Sequence, residues 1–215
     1  KILHPAIGKP LGMMRESSGK FTNLSGDYKK ITQIAFVDQN PIGKSSRSNP
    51  VTYVKAYDSI RHLFSEQPLS KQNRFKPAHF SFNVDGGRCE VCEGEGTVTV
   101  EMQFMADLHL TCENCGGKRF KKEILEVEFN GKDIAKVLDL SIEEALEFFK
   151  DHKIIKNKIQ PLFDVGLGYV KLGQGSNSLS GGEAQRVKLA SFLAKGQKRN
   201  STDHILFIFD EPTTG

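Results

Sequence analysis

Four cysteines, Cys89, Cys92, Cys112 and Cys115, constrain this 215-residue chain more than any other feature. It has no other cysteine, and these four form two Cys-x2-Cys pairs with nineteen residues between them. A two-residue gap folds as a tight turn that aims both thiolates at one point. Two such turns on adjacent hairpins close a tetrahedral cage of four sulfurs. A cage with no open position implies a structural zinc ion, not a catalytic one. Two disulfides are the alternative. The start, Lys1-Ile2-Leu3-His4-Pro5, has too short an apolar run for a secretory signal, and reducing compartments keep thiols free. His109 is near enough in sequence to compete as a ligand, although four thiolates need no substitute.

A second stretch has a different chemistry: Leu179-Ser180-Gly181-Gly182-Glu183-Ala184-Gln185-Arg186-Val187. Ser180 followed three residues later by Glu183 is a capping box, so a helix should start here. Val187, Leu189, Ala190 and Leu193 give that helix an apolar face. Two glycines in the first turn leave backbone N–H groups uncovered at the positive end of the helix dipole, which suits an anion. An ordinary capped helix would share the Ser-x-x-Glu pattern but not the whole string.

The chain ends in Ile205-Leu206-Phe207-Ile208-Phe209-Asp210-Glu211. Five continuous apolar residues predict a parallel strand buried on both faces, and two carboxylates at its carboxyl end lie where α/β sheets place ligands. Asp210 is placed to hold Mg²⁺ and Glu211 to orient or deprotonate a water. Ile31-Thr32-Gln33-Ile34-Ala35-Phe36-Val37 reads as another strand, ending in the turn Asp38-Gln39-Asn40-Pro41. Gly43-Lys44-Ser45 invites a P-loop reading, but the first glycine of that motif would fall on Asp38. Gly19-Lys20 fails too, with Met14 at the glycine position, so the chain holds no P-loop.

Between these landmarks the pattern predicts one helix over 51–64, an irregular basic connection between Pro68 and Pro77, and a short strand over 80–84. Phe80 and Phe82 in that strand are expected to pack in the core. Strands follow over 97–105 and 123–129, the latter closed by an Asn130-Gly131 turn. A short helix over 133–138, a helix capped by Ser141 and Glu144, and a helix over 154–165 interrupted near Pro161 complete the reading. Residues 195–203 look loop-like.

Charge adds one observation. The net charge is only +4, but residues 43–88 carry eight basic against three acidic side chains. Lys44, Arg47, Arg74, Lys76 and Arg88 are the candidates to meet nucleic-acid phosphate. No run of 18 apolar residues exists, so no membrane span is expected. The absence of an initiator Met suggests a fragment or a trimmed chain.

The residues of 179–187 match the signature motif of ABC-type ATPases, and 205–211 match their Walker B strand. Phe80-Ser81-Phe82-Asn83-Val84, then Gly86-Gly87-Arg88-Cys89-Glu90-x-Cys92, then Leu172-Gly173-Gln174 ahead of the signature, narrow the likeness. From about residue 31 onward the chain closely resembles the A subunits of the bacterial UvrABC excinuclease, in their second, C-terminal ATPase half. Asp38-Gln39-x-Pro41-Ile42-Gly43 matches that family's Q-loop region. The resemblance implies an α/β fold: a partial ABC-type P-loop ATPase core with an inserted helical signature subdomain and a four-cysteine zinc module. Residues 1–50 and 196–215 would belong to the core, and 51–195 to the insertion, with the zinc module at 85–122.

It also implies roles. Gln39 would sense Mg²⁺ and the γ-phosphate of ATP. Ser180, Gly181, Gly182 and Glu183 would form the signature turn that reaches a nucleotide held by the opposite half. The intact protein would be a cytoplasmic bacterial homodimer that recognises damaged double-stranded DNA, loads the B subunit and does not itself cut. Walker A, expected just ahead of Lys1, and the switch histidine are outside the sequence, so this piece alone should have negligible ATPase activity. Three rivals remain to be separated: a chaperone cysteine-rich module, a transporter ATPase subunit, and a zinc-dependent DNA-binding module with vestigial ATPase features.

Overall fold

The computed structural model describes residues 2–13, 18–43, 45, 47–102, 107–196 and 204–210. It is mixed α/β. The helices are α1 (Leu3–Gly8), α2 (Pro50–Tyr53), α3 (Tyr57–Ser65), α4 (Pro68–Gln72), α5 (Lys122–Leu125), α6 (Ile134–Asp139), α7 (Ile142–Phe148), α8 (Lys153–Asp164) and α9 (Gly181–Gly196). The strands are β1 (Ile31–Val37), β2 (Thr97–Val100), β3 (Leu108–Thr111), β4 (Glu128–Phe129), β5 (Lys132–Asp133) and β6 (His204–Phe209).

β1 and β6 pair in parallel, with Ile34 opposite Leu206 and Val37 opposite Phe209. A parallel pair so distant in sequence needs a crossover, and here the crossover contains almost everything else. Its hydrophobic core runs from Val51 to Ala190 and is rich in aromatics. Phe64 meets Phe80, Phe80 meets Phe75, and Tyr57 stacks on Phe82 with centroids 4.9 Å apart. The Tyr57 hydroxyl donates to the Phe80 carbonyl at 2.6 Å, so the polar end of a buried ring is satisfied.

Several expectations need correction. The helix expected over 51–64 is two helices: Lys55 sits at φ +58°, a left-handed conformation that ends α2 before α3 starts. The connection from Pro68 to Pro77 is not irregular throughout, because Pro68 opens α4 and Pro77 opens a 3-10 turn (Pro77–Phe80). Residues 80–84 form no strand. Phe80 and Phe82 are nevertheless fully buried, so the alternation recorded core packing without a ladder. Residues 123–129 split into α5 and the two-residue β4, which turns through Asn130 and Gly131 (φ +46° and +75°) into β5. Pro161 lies inside an uninterrupted α8. β2 stops at Val100, with 103–106 outside the described residues. β6 is half-buried and not covered on both faces, and Phe36 and Phe209 are exposed.

Both predicted capping boxes are present. Ser141 Oγ accepts from Glu144 N at 3.1 Å while Glu144 accepts from Ser141 N at 2.8 Å. Ser180 and Glu183 repeat this at 3.2 and 2.8 Å.

Candidate metal centre and nucleotide edge

The four cysteines converge as their spacing requires. Their sulfurs all lie within 4.8 Å of one another. Cys89 and Cys112 are 3.9 Å apart, Cys92 and Cys115 3.7 Å. A zinc–sulfur distance of about 2.3 Å gives a tetrahedron with edges of about 3.8 Å, so the cage has the size of a zinc site. These separations leave all four thiols free, which removes the disulfide alternative. His109 is not in the group. It stands on β3 opposite Thr99, whose hydroxyl lies 3.0 Å from its Nδ1.

Local structure builds the cage. β2 and β3 pair from Thr97↔Thr111 to Val100↔Leu108, which brings the two knuckles side by side. Gly94 has φ +83°, and a Cβ there would lie 2.1 Å from the Phe82 carbonyl oxygen, so the first knuckle closes against the aromatic core only with glycine. Burial acts to raise the Cys89 pKa, but N–H groups of Cys92 and Val91 and the Asn114 amide outweigh it and bring the thiol down to about 6. Burial dominates at Cys115, which is pushed up to about 12. The set is all sulfur, tetrahedral in size and nearly closed to solvent, and it fits zinc.

The second site lies at the carboxyl ends of β1 and β6. Gln185, one turn into α9, is buried, and its Nε2 donates to the Val37 carbonyl at 3.1 Å and the Asp210 carbonyl at 2.8 Å. Asp210 N in turn donates to Val37 O at 3.1 Å, so the two strand ends are held together. The Asp210 residue is exposed at the sheet edge. Gln39 packs on the signature turn: a Cβ at Gly181 would meet Gln39 Oε1 at 2.9 Å. Gly181 and Gly182 occupy the first turn of α9, whose N–H groups have no intrahelical acceptor. Gln39, Ser180, Gly181, Gly182, Glu183 and Asp210 thus gather at one edge. Glu211 lies outside the described residues.

Two partners of this edge had no sequence signal. The Tyr169 hydroxyl bonds Glu183 Oε1 at 2.8 Å, and Arg186 approaches that hydroxyl at 3.5 Å. Burial acts against the Glu183 carboxylate, but the Ser180 and Tyr169 bonds outweigh it and lower its pKa. Lys188 Nζ is bound to the Asp38 carboxylate and to the carbonyls of Asp38 (3.2 Å) and Asn40 (2.6 Å).

The basic candidates separate. Arg47 is paired with Glu95 of the first knuckle at 2.6 Å, and Arg88 with Asp85 at 2.7 Å. Arg74 and Lys76 are exposed and form no ion pair among the described residues. Lys44 lies outside them.

Fold and thiol cage together define a class: a mixed α/β chain of the ABC type with a helical insertion and a four-cysteine module. Comparison with known proteins narrows it. No family model matches the chain. Over all 215 residues it is 51% identical to UvrABC system protein A of Clostridium perfringens, and over 214 residues 49% identical to that of Thermus thermophilus. In each case the match takes in 22% of the relative, so the chain spans about a fifth of the length of these proteins. The crystal structure of UvrA2 from Deinococcus radiodurans superposes with a TM-score of 0.82 at 46% identity, covering 89% of this chain and 23% of that one. The chain is related along its whole length to a segment of UvrABC system protein A. The resemblance read from its motifs is borne out.

Proposed function

We propose that the chain is the signature and zinc portion of an ATP-dependent DNA damage-recognition subunit of nucleotide excision repair. The observation that carries this reading is the meeting of Gln39, Gly181 and Asp210 at one strand edge, with a four-thiol knuckle in the crossover between those strands. In this reading residues 1–50 and 196–215 belong to the ATPase core, and 51–195 form the insertion, with the zinc module at 85–122. Cys89, Cys92, Cys112 and Cys115 hold a structural zinc. Ser180, Gly181 and Gly182 meet ATP bound to the opposite half, with Glu183 closing the turn. Asp210 holds Mg²⁺, Glu211 is the general base, and Gln39 senses metal and γ-phosphate.

The intact polypeptide would work as a cytoplasmic homodimer on distorted double-stranded DNA and would load a UvrB-type subunit. No helix among the described residues is long and apolar enough to cross a membrane. Arg74 and Lys76 are the residues proposed to contact phosphate directly. Arg47 and Arg88 act first within the fold, through Glu95 and Asp85.

The test is binding of lesion-bearing and intact duplexes by the polypeptide at its relatives' full length, with and without ATP. Preference for the damaged duplex that changes with nucleotide supports the reading. Tight binding that ignores nucleotide would favour a zinc-dependent DNA-binding module with vestigial ATPase features.

A further inference from the structure

We infer that Lys188 is a positioning residue for Gln39, fastening the proposed magnesium-sensing loop to the helix that carries the signature turn. The inference rests on the ATPase reading above. A lysine ammonium has three donors and no acceptor. Here it has three acceptors: the Asp38 carboxylate, the Asp38 carbonyl and the Asn40 carbonyl. The two carbonyls belong to the residues on either side of Gln39, so Lys188 straddles that residue.

The ammonium is poorly exposed, its side chain retaining 12% of its accessibility. A lysine held this far from water needs its charge met, and the Asp38 carboxylate meets it. Asn40 completes the turn by donating to the same carboxylate, from Nδ2 at 2.7 Å and from its backbone N at 3.2 Å. Asp38, Asn40 and Lys188 therefore form one closed unit around the Gln39 backbone.

The placement follows from helical spacing. Gly181 and Lys188 are seven residues apart and share a face of α9, with Ala184 and Gln185 between them on the same side. Ala184 and Gln185 are buried there. One face of α9 thus meets this loop twice: at Gly181, where an added Cβ would press on the Gln39 side chain, and at Lys188, which bonds the carbonyls of the residues flanking Gln39. Movement of the signature turn relative to the strand edge must carry Gln39 with it or break this unit.

The experiment compares Lys188→Met, Lys188→Arg, Gln39→Ala and the double variant Lys188→Met/Gln39→Ala in the polypeptide at its relatives' full length. Steady-state ATP hydrolysis is measured against magnesium concentration, with zinc content and thermal unfolding as controls. Lys188→Met is expected to lower kcat about tenfold or more and to raise the magnesium needed for half-maximal rate. Lys188→Arg, which keeps the charge, should recover part of both losses. The double variant should be no slower than Gln39→Ala, because residues acting as one unit are not additive.

Lys188→Met turnover equal to the parent's overturns the inference, as do independent, multiplying effects in the double variant. Should Lys188→Met fail to fold, Asp38→Asn removes the same ion pair and must show the same magnesium shift in milder form; without it the inference fails. A parent that hydrolyses no ATP at all overturns the ATPase reading itself.

Discussion

The thiol cage and the strand edge are both assembled from residues far apart in sequence, yet they are held in opposite ways. The cage is four side chains aimed at a point, and its donors are chemically useless to one another without an ion. The edge is held by side chains reaching backbone: Gln185 on the carbonyls of Val37 and Asp210, and Lys188 on those of Asp38 and Asn40. Removing the ligand should therefore collapse the first and leave the second standing. Disturbing one helix face should loosen the second and leave the first intact.

The largest effect should come from the cage. Cys112→Ser, or stripping the metal with a chelator, is expected to forfeit zinc binding worth on the order of 10 kcal/mol. Hydrogen exchange should show lost protection over the knuckles at 89–96 and 112–117 while the β2–β3 ladder, α3 and α8 stay protected. Equal loss in both regions would break the contrast. Next in size, Phe64→Ala removes a fully buried ring that packs on Phe80 and Phe129. It should cost about 3–5 kcal/mol in a denaturant titration with one zinc per chain retained.

At the edge, Gly181→Ala places a methyl against the Gln39 side chain, which can swing aside, so stability should change by less than about 1 kcal/mol, with Gln39-dependent magnesium response disturbed and zinc content unchanged. The smallest effect concerns acid. Burial opposes the Asp38 carboxylate, but hydrogen bonds from Lys188 and Asn40 outweigh it and lower its pKa. A depressed carboxylate contributes stability above its unfolded value of about 3.9, and that stability is lost as pH falls through the lower folded value. Asp38→Asn should flatten this acid limb in pH-dependent unfolding, and an unchanged limb would show that Asp38 does not carry it.

The same contrast explains what could be read from the sequence. Cysteine spacing announces a cage because the chemistry is in the residue type. The capping boxes at Ser141 and Ser180, and the apolar runs of β1 and β6, are legible for the same reason. Lys188 and Gln185 are not, since a side chain that bonds backbone carbonyls has no pattern of its own, and any long donor would look alike. The pairing of Arg47 with Glu95 and of Arg88 with Asp85 is likewise invisible to a charge count, because it is settled only by folding. Residues 80–84 and 123–129 alternate like strands, but Phe80, Phe82 and Ile124 are drawn into an aromatic core that outweighs local pattern.

The β2–β3 hairpin has a consequence in time. Without it, an ion binding Cys89 would have to capture Cys112 from a loop of more than twenty residues of loose chain. Pairing of Thr97 with Thr111 leaves four residues between Cys92 and the ladder and none between the ladder and Cys112. Hairpins close in about 1–10 μs, so the two sulfur pairs are brought into register by strand pairing before metal arrives. The rate of metallation is then set by ion supply and thiol deprotonation, and the search through chain conformations is already over.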